Sequence, residues 1–278
     1  MNPLATAAEL ASHLQDPDLV LLDVRWALGR SGHENRAAYA AGHIPGAVFV
    51  DLDAELAGTP GPHTGRHPLP LPADFEAAAR RWGINPGSRV VACDDASGLS
   101  AARAWWLLRH AGFERVSVLD GGLDAWRQAG GTLESGQQRN APGTVSLSWG
   151  AMDVLEYDEL EAFTGTLIDS RATSRYLGIE EPVDPVAGHI PGARNRPTTE
   201  NLAADGTFED AGQLRNAFAK LGAEAGAAAY CGSGVTAAHQ VLAAASAGIS
   251  LALYPGSFSQ YCSYPQAPIA TSDEQHRH

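Results

Sequence analysis

The chain repeats itself, and the repeat constrains what it can fold into more than any other feature. Leu22-Asp23-Val24-Arg25 returns as Ile168-Asp169-Ser170-Arg171, and Gly42-His43-Ile44-Pro45-Gly46-Ala47 returns as Gly188-His189-Ile190-Pro191-Gly192-Ala193, both at an offset of 146 residues. Val90-Val91-Ala92-Cys93-Asp94 corresponds to Ala227-Ala228-Ala229-Tyr230-Cys231, and Leu119-Asp120-Gly121-Gly122-Leu123 to Tyr254-Pro255-Gly256-Ser257-Phe258. The order of the motifs is kept and only loop lengths change, so two copies of one plan are expected. A chain of 278 residues gives each copy roughly 130 to 140, enough to bury its own core. The first copy is expected over residues 1–136 and the second over 148–278, joined through the polar, Gly- and Pro-bearing stretch from Glu134, which lacks apolar periodicity.

Within each half, short apolar runs alternate with longer helix-like segments, the pattern of an α/β fold with parallel strands and crossover helices. Strands are expected at 20–23, 47–50, 90–93 and 116–119, and again at 166–169, 227–230 and 251–254. Helices are expected at 72–82 with Pro72 in the first position, at 99–111 ended by Gly112, and at 236–247 ended by Gly248. An open sheet of this kind offers its ligand site at the carboxyl ends of its strands.

Cys231 falls at such an end. The run Tyr230-Cys231-Gly232-Ser233-Gly234-Val235-Thr236 sets a thiol on a glycine-spaced turn between a strand and a helix. Unpaired N–H groups at a helix start, with the positive end of the dipole behind them, favour a thiolate. Gly232 and Gly234 let the backbone curl around the sulfur. Alone, such a cysteine reads more readily as a buried strand end followed by an ordinary turn. The duplication decides, because Asp94 holds the matching place in the first half, leaving one working copy and one degenerate copy.

Charge and cysteine usage exclude other classes. With 19 Lys+Arg against 32 Asp+Glu and a net charge of −13, the surface repels phosphate backbones, so no nucleic-acid partner is expected. The start has no basic segment leading into an apolar core, and no apolar run reaches membrane-spanning length, so a cytoplasmic protein without membrane contact is expected. Cys93, Cys231 and Cys262 are too few and too irregular for a disulfide framework or a zinc site. Cys93 reads as inert core, and Cys262 as either buried filler or a surface thiol. The tail 271–278, with two histidines and an arginine, reads as a solvated end and not a metal site.

Taken together, these motifs resemble the tandem-domain rhodanese-type sulfurtransferases, the family of thiosulfate and 3-mercaptopyruvate sulfurtransferases, over nearly the whole chain. Tyr39 to Ala47 resembles the amino-terminal signature, Cys231 to Thr236 the active loop, and Tyr254 to Tyr261 the carboxy-terminal signature. Gln260 stands where the family has Glu, a change expected to cost a hydrogen bond beside the site. The resemblance implies two rhodanese-like domains, each a parallel sheet flanked by helices. The carboxy-terminal one is catalytic, and the inactive amino-terminal one helps wall the site.

The expected chemistry is double displacement. A Cys231 thiolate takes sulfur from a donor, stands as a persulfide, and yields the sulfur to an acceptor such as thioredoxin, glutathione or cyanide, with no cofactor. N–H groups from Gly232 through Gly234 and Val235 to Thr236 would cradle the charge. Ser233 either donates to the sulfur or leaving group or only holds the turn, and Thr236 is expected to cap the helix. Arg175 matches the family's arginine for the donor's anionic group. It is preferred over Arg171, which resembles the arginine of an Asp/Arg pair like Asp23/Arg25. The further arginine that many mercaptopyruvate enzymes carry is absent from Glu180 to Ala187. Asp53 and His67 match polar residues that approach the cleft, where either would pair with Ser233 or shuttle a proton. Read from the residues alone, they are a turn cap and a surface histidine. His43 and His189 recur in both halves and are expected to be structural, bonded to backbone near the Pro-Gly turn.

Cys-Gly-Ser-Gly-Val-Thr resembles the mercaptopyruvate branch, whereas the thiosulfate enzymes resemble Cys-Arg-Lys-Gly-Val-Thr. A neutral loop attracts a dianion less, so 3-mercaptopyruvate is the favoured donor and thiosulfate its rival. Phosphatases sharing the fold need an arginine six residues after the cysteine, where this chain has Ala237. A non-enzymatic sulfur carrier or interaction module is the alternative class, and the intact glycine loop around Cys231 favours the enzyme.

Overall fold

The computed structural model describes residues 2–223 and 226–271; the polar tail, with its histidines, lies beyond Thr271, outside the described residues. Two compact units share the chain. The first takes Met1–Gly58, Leu69–Met152 and Ala203–Phe208; the second takes Thr59–Pro68, Asp153–Leu202 and the chain from Glu209 onward. Each unit therefore includes a short segment from the other half of the sequence.

In the first unit, β1 (Leu4–Ala5), α1 (Ala7–His13), β2 (Leu19–Asp23), α2 (Gly32–Ala41), β3 (Val48–Phe49), α3 (Leu52–Glu55), α4 (Pro72–Arg81), β4 (Arg89–Cys93), α5 (Ala101–His110), β5 (Val116–Leu119) and α6 (Gly122–Gln128) follow in order. The strands form a parallel sheet in the order β1-β5-β4-β2-β3. Strands β2 and β4 read as continuous apolar runs because both sheet faces are covered. Leu21, Val91, Leu119 and Trp126 pack with Leu10 and Ile44 into one core that includes Cys93.

Helices α1 and α2 carry too weak an apolar stripe to be read from periodicity. Capping boxes start them instead: Thr6 with Glu9, and Ser31 with Glu34. Strand β3 is shorter than expected because Ala47 turns its N–H back to the Ile44 carbonyl at 2.9 Å. Gly112, at φ +76°, closes α5 as expected, and the following N–H of Phe113 reaches the Leu108 carbonyl at 2.8 Å. The stretch after Glu134 is bonded onto this unit rather than free: Gly143 donates to Arg80 O at 2.7 Å and Val145 to Ile84 O at 3.1 Å.

The second unit repeats the plan. Strand β6 (Leu167–Asp169), α7 (Thr173–Tyr176), β7 (Arg194–Asn195), α8 (Ala211–Lys220), β8 (Ala227–Tyr230), α9 (Val235–Ser246), β9 (Leu251–Leu253) and α10 (Ser257–Tyr261) give a parallel sheet in the order β7-β6-β8-β9. Val154 bridges in parallel to Leu253, the place that β1 holds beside β5. Helix α9 ends at Gly248, φ +77°. Among the described residues, no helix is long and apolar enough to cross a membrane.

The repeated histidines do the same work twice. His43 Nδ1 lies 3.1 Å from Tyr39 O and stacks on that tyrosine's ring, and His189 Nδ1 lies 2.7 Å from Tyr176 O and stacks likewise. Both tyrosine hydroxyls donate back across the motif, to Ala47 O and Ala193 O, each at 2.7 Å. The histidines are structural as expected, but their carbonyl partner is the preceding tyrosine rather than the Pro-Gly turn itself.

Candidate active site

Cys231 follows the last residue of β8, and only 2% of it is exposed. The loop after it leads directly into α9, whose cap is Gly234 in the left-handed region, φ +81°. A side chain there would run into the Pro255 carbonyl, so only glycine fits on two counts. The Gly234 N–H donates to Cys231 Sγ at 3.1 Å. The positive end of α9 and this N–H together favour negative charge on the sulfur. Thr236 is not the cap: Gly234 holds that position and no side chain bonds the first turn. Val235 opens the helix as a buried apolar residue.

Sequence reasoning missed a support beneath Cys231. The Cys231 N–H donates to Ser257 Oγ at 3.1 Å, and that hydroxyl donates to Tyr254 O at 2.9 Å. Ser257 sits at φ +54°, a conformation costing a non-glycine residue about 1 kcal/mol or more, and its hydroxyl supplies the compensation. Its counterpart in the first unit is Gly122, at φ +57°. That glycine-to-serine mismatch between the aligned halves was the available signal.

The first unit displays what such a loop can bind. Asp94 Oδ1 accepts from the N–H groups of Ala96 and Gly98 at 2.9 and 2.8 Å, and Oδ2 from those of Ser100 and Ala101 at 2.8 and 2.9 Å. Burial pushes the Asp94 carboxyl above the usual range while these four donors oppose it. The carboxylate takes N–H groups at the head of α5, which explains why that helix starts later than the apolar pattern suggested. Ser97-Gly98-Leu99-Ser100-Ala101 parallels Ser233-Gly234-Val235-Thr236-Ala237 with one extra residue before it. One half thus fills its anion cradle with its own side chain, and the other presents a sulfur there.

The segment Thr59–Pro68 brings two further side chains to the loop. His67 Nδ1 lies 2.8 Å from Ser233 Oγ; Ser233 is 7% exposed, so the pairing is shielded from bulk water. Arg66 pairs with Asp184, and its own N–H donates to Ser259 Oγ at 3.1 Å. The arm is pinned by Gln260, whose Nε2 donates to His63 O at 2.8 Å, and by His63 stacking on Tyr264 at 4.4 Å. Gln260 makes a bond of its own here, its amide N–H reaching a carbonyl that a carboxylate could not engage. Asp53 belongs to the first unit, where it accepts from Trp26 Nε1 at 3.1 Å.

The arginines divide as their neighbours dictate. Arg171 is buried and committed: Nη2 contacts Asp169 Oδ2 at 2.6 Å and Gly188 O at 2.7 Å, Nη1 reaches Glu181 at 3.3 Å, and Phe258 stacks under it at 3.9 Å. Arg25 does the same with Asp23 and Gly42 O, so both arginines brace their strand ends in the same way. Arg175 bonds Glu181 through Nε at 3.0 Å and Nη2 at 2.6 Å, and Asp184 through Nη2 at 2.9 Å. Its Nη1 would lie 3.5 Å from a Cβ placed on Gly232. Although burial opposes it, hydrogen bonds from Arg175 and from the Asp184 and Val183 N–H groups hold the Glu181 carboxyl below its ordinary range.

The other thiols are quiet. Burial raises the Cys93 thiol well above its ordinary range. Burial, followed by the Asp184 charge, pushes Cys262 up to about 11. Among the described residues, no group of three or more His, Cys, Asp or Glu is placed to hold a metal ion.

Comparison with known proteins gives the same result twice over. The rhodanese-like domain matches residues 6–129 and 155–264. The chain is 46% identical over 275 residues to a Mycobacterium tuberculosis protein provisionally named thiosulfate sulfurtransferase SseB, covering 96% of each. It is 44% identical over 280 residues to a "probable 3-mercaptopyruvate sulfurtransferase" of Pseudomonas aeruginosa, covering 97% of this chain and 98% of the relative. The crystal structure of Escherichia coli SseA, described as a 3-mercaptopyruvate sulfotransferase, is similar with a TM-score of 0.80 at 33% identity, over 93% of this chain and 100% of that one. A cysteine on a glycine loop in one of two duplicated domains, matched by relatives of the same length, places this chain in the rhodanese-like family, among its two-domain 3-mercaptopyruvate and thiosulfate sulfurtransferases.

Proposed function

We propose that this sulfurtransferase takes sulfur from 3-mercaptopyruvate onto Cys231 and passes it to a thiol, such as thioredoxin or glutathione, or to cyanide. The observation that carries the reading is the Cys231 sulfur at the head of α9, accepting the Gly234 N–H at 3.1 Å. In the first step the Cys231 thiolate attacks the donor's sulfur. The carbon–sulfur bond breaks, and its electron pair leaves on carbon as the enolate of pyruvate. The donor's thiol proton, released when the new persulfide ionises, completes pyruvate. In the second step the acceptor attacks the outer sulfur, the S–S bond breaks, and its electrons return to Cys231. Ser233, beside His67, is positioned to donate to the enolate oxygen or to carry that proton. The N–H groups of the loop steady the charge on the outer sulfur.

Thiosulfate is the second reading, favoured by the provisional name of the 46% identical relative. The same attack would then break an S–S bond and release sulfite. The side chains of Gly232 and Ser233 bring no positive charge to a dianion, which favours the singly charged donor.

Steady-state transfer to cyanide from either donor, by the wild type and by Cys231→Ser, tests both statements. A preference for 3-mercaptopyruvate of about tenfold in kcat/KM, ~1.4 kcal/mol in transition-state binding, is expected, with Cys231→Ser inactive. A thiosulfate preference would overturn the donor assignment, and activity in Cys231→Ser would overturn the mechanism. No turnover with any small acceptor would point instead to a carrier or interaction module.

A further inference from the structure

We propose that the second unit holds a binding site for a small organic cation, an ammonium or guanidinium on an apolar body, in the cavity between the 3-10 turn Tyr157–Ala162 and Tyr261, edged by Asp158 and Glu161. The cavity measures about 640 Å³, within the usual span of small-molecule sites, roughly 300–1,000 Å³. All of its residues belong to the second unit, and none lies on the Cys231 loop. The duplication shows this space to be a departure from the common plan. Leu4 pairs with Val118 as Val154 bridges to Leu253, and the capping box of Thr6 with Glu9 returns as that of Glu156 with Glu159. These anchors align Leu10 with Leu160. Ile44 matches Ile190 in the repeated Gly-His-Ile-Pro-Gly motif. Trp126 matches Tyr261, since Trp126 Nε1 donates to Thr132 O at 2.8 Å just as the Tyr261 hydroxyl donates to Pro268 O at 2.8 Å. In the first unit Leu10, Ile44 and Trp126 are fully buried and pack into one core. In the second, their counterparts line the cavity. The regular α1 that presses Leu10 inward is replaced by a 3-10 turn that buries none of its residues.

Where the copies differ, the second has gained the chemistry of a cation site. Ala7, Ala8 and Ala11 of the first copy stand where the second has Tyr157, Asp158 and Glu161, one ring and two carboxylates that all line the cavity. The acids of the turn divide by use. Glu156 and Glu159 form the capping box, whereas the Asp158 and Glu161 carboxylates have no hydrogen-bond or ion-pair partner among the described residues. Burial, followed by the Glu159 and Asp158 charges, pushes the Glu156 carboxyl above its ordinary range, so the turn carries more negative charge than its own donors offset. A bound cation relieves that excess. Aromatic faces supply a second attraction, because ring quadrupoles draw ammonium and guanidinium groups to them. The Tyr157 and Tyr261 rings lie 6.2 Å apart, and Phe163 lines the same space. These walls are set before a ligand arrives. Tyr157 stacks on Tyr264 at 3.9 Å, the Tyr261 hydroxyl holds Pro268 O, and His189 bridges to Ala270 just beyond, so binding has little ordering cost to overcome. Two carboxylates do not supply the fuller oxygen shell that a hard metal ion takes, and the net charge of −13 disfavours an anion.

Calorimetric titration of the full chain with phenyltrimethylammonium chloride, a permanent cation on an apolar ring, tests this, with benzyl alcohol as the neutral control at equal ionic strength. Saturable binding with a Kd of about 1 mM or tighter is expected, and benzyl alcohol should bind at least about tenfold more weakly. Asp158→Asn combined with Glu161→Gln should weaken the cation by about tenfold or more and leave benzyl alcohol as it was. Both residues are exposed, and an unchanged near-UV circular dichroism spectrum shows that the double variant keeps its fold. With the cation bound, hydrogen exchange should slow in peptides covering residues 157–163 and 261–268. Weaker binding by the wild type, or equal affinity in the double variant, would overturn the proposal. So would a neutral control bound as tightly, or protection confined to other peptides. A wild-type dimer that excludes the cation and is lost in the double variant would assign the face to a second copy and overturn it too. None of these readouts uses sulfur transfer, so the test stands apart from the donor assignment.

Discussion

At the scale of single residues, three cysteines separate by environment rather than by type. Cys231 receives an N–H at the head of a helix, Cys93 is packed among apolar side chains, and Cys262 is half-buried near the Asp184 charge. The two readings left open for Cys262, filler or reactive surface thiol, therefore resolve toward an unreactive thiol. Its raised value, about 11, means the thiol form dominates at neutral pH, and the thiolate fraction climbs about tenfold per pH unit until that value is reached. Peptide mapping after brief iodoacetamide treatment should show Cys262 labelling rising with this slope between about pH 8 and 10. A labelling rate already level by pH 8 would contradict it. Ser257 belongs to this scale as well. Its role was legible only as a mismatch with Gly122, because a hydroxyl bonding the amide of a residue 26 positions away leaves no local pattern.

At the scale of elements, the arm from Thr59 to Pro68 does the most with the least regular structure. It has no helix or strand, so no periodicity announces it, yet it delivers His67 to Ser233 and Arg66 to Asp184. The Gln260 amide fastens it through His63 O. Gln260→Glu should remove that donor and set a carboxylate against a carbonyl, loosening the arm at a cost of about 0.5–1.5 kcal/mol. Hydrogen exchange should quicken in peptides covering residues 59–68, and KM for the donor should rise; unchanged exchange there would contradict the assigned role. The strands and the α4, α5 and α9 helices were legible because burial on both sheet faces writes long apolar runs and glycine marks the helix ends. Helices α1 and α2 were not, since capping boxes rather than apolar stripes define them. At the head of α9, Thr236 looked like a cap by residue type, but the left-handed turn placed Gly234 there.

At the scale of the whole molecule, duplication was legible in full and the traffic between halves was not. The motif pairs foretold two parallel sheets, and both are present in the same strand order. Nothing in the spacing indicated that residues 59–68 would join the second unit and 203–208 the first, because such exchanges are written in tertiary contacts. The duplication also shows how differently the two halves use the same loop. Asp94 engages its own loop with four N–H bonds, whereas the Cys231 sulfur accepts from the Gly234 N–H. The central claim is that one cysteine of three carries the sulfur, and intact and peptide mass spectrometry after incubation with 3-mercaptopyruvate, without acceptor, tests it most directly. One added sulfur atom per chain is expected, located on Cys231 and removed by cyanide; added sulfur on Cys93 or Cys262, or none on Cys231 under turnover conditions, would contradict the account.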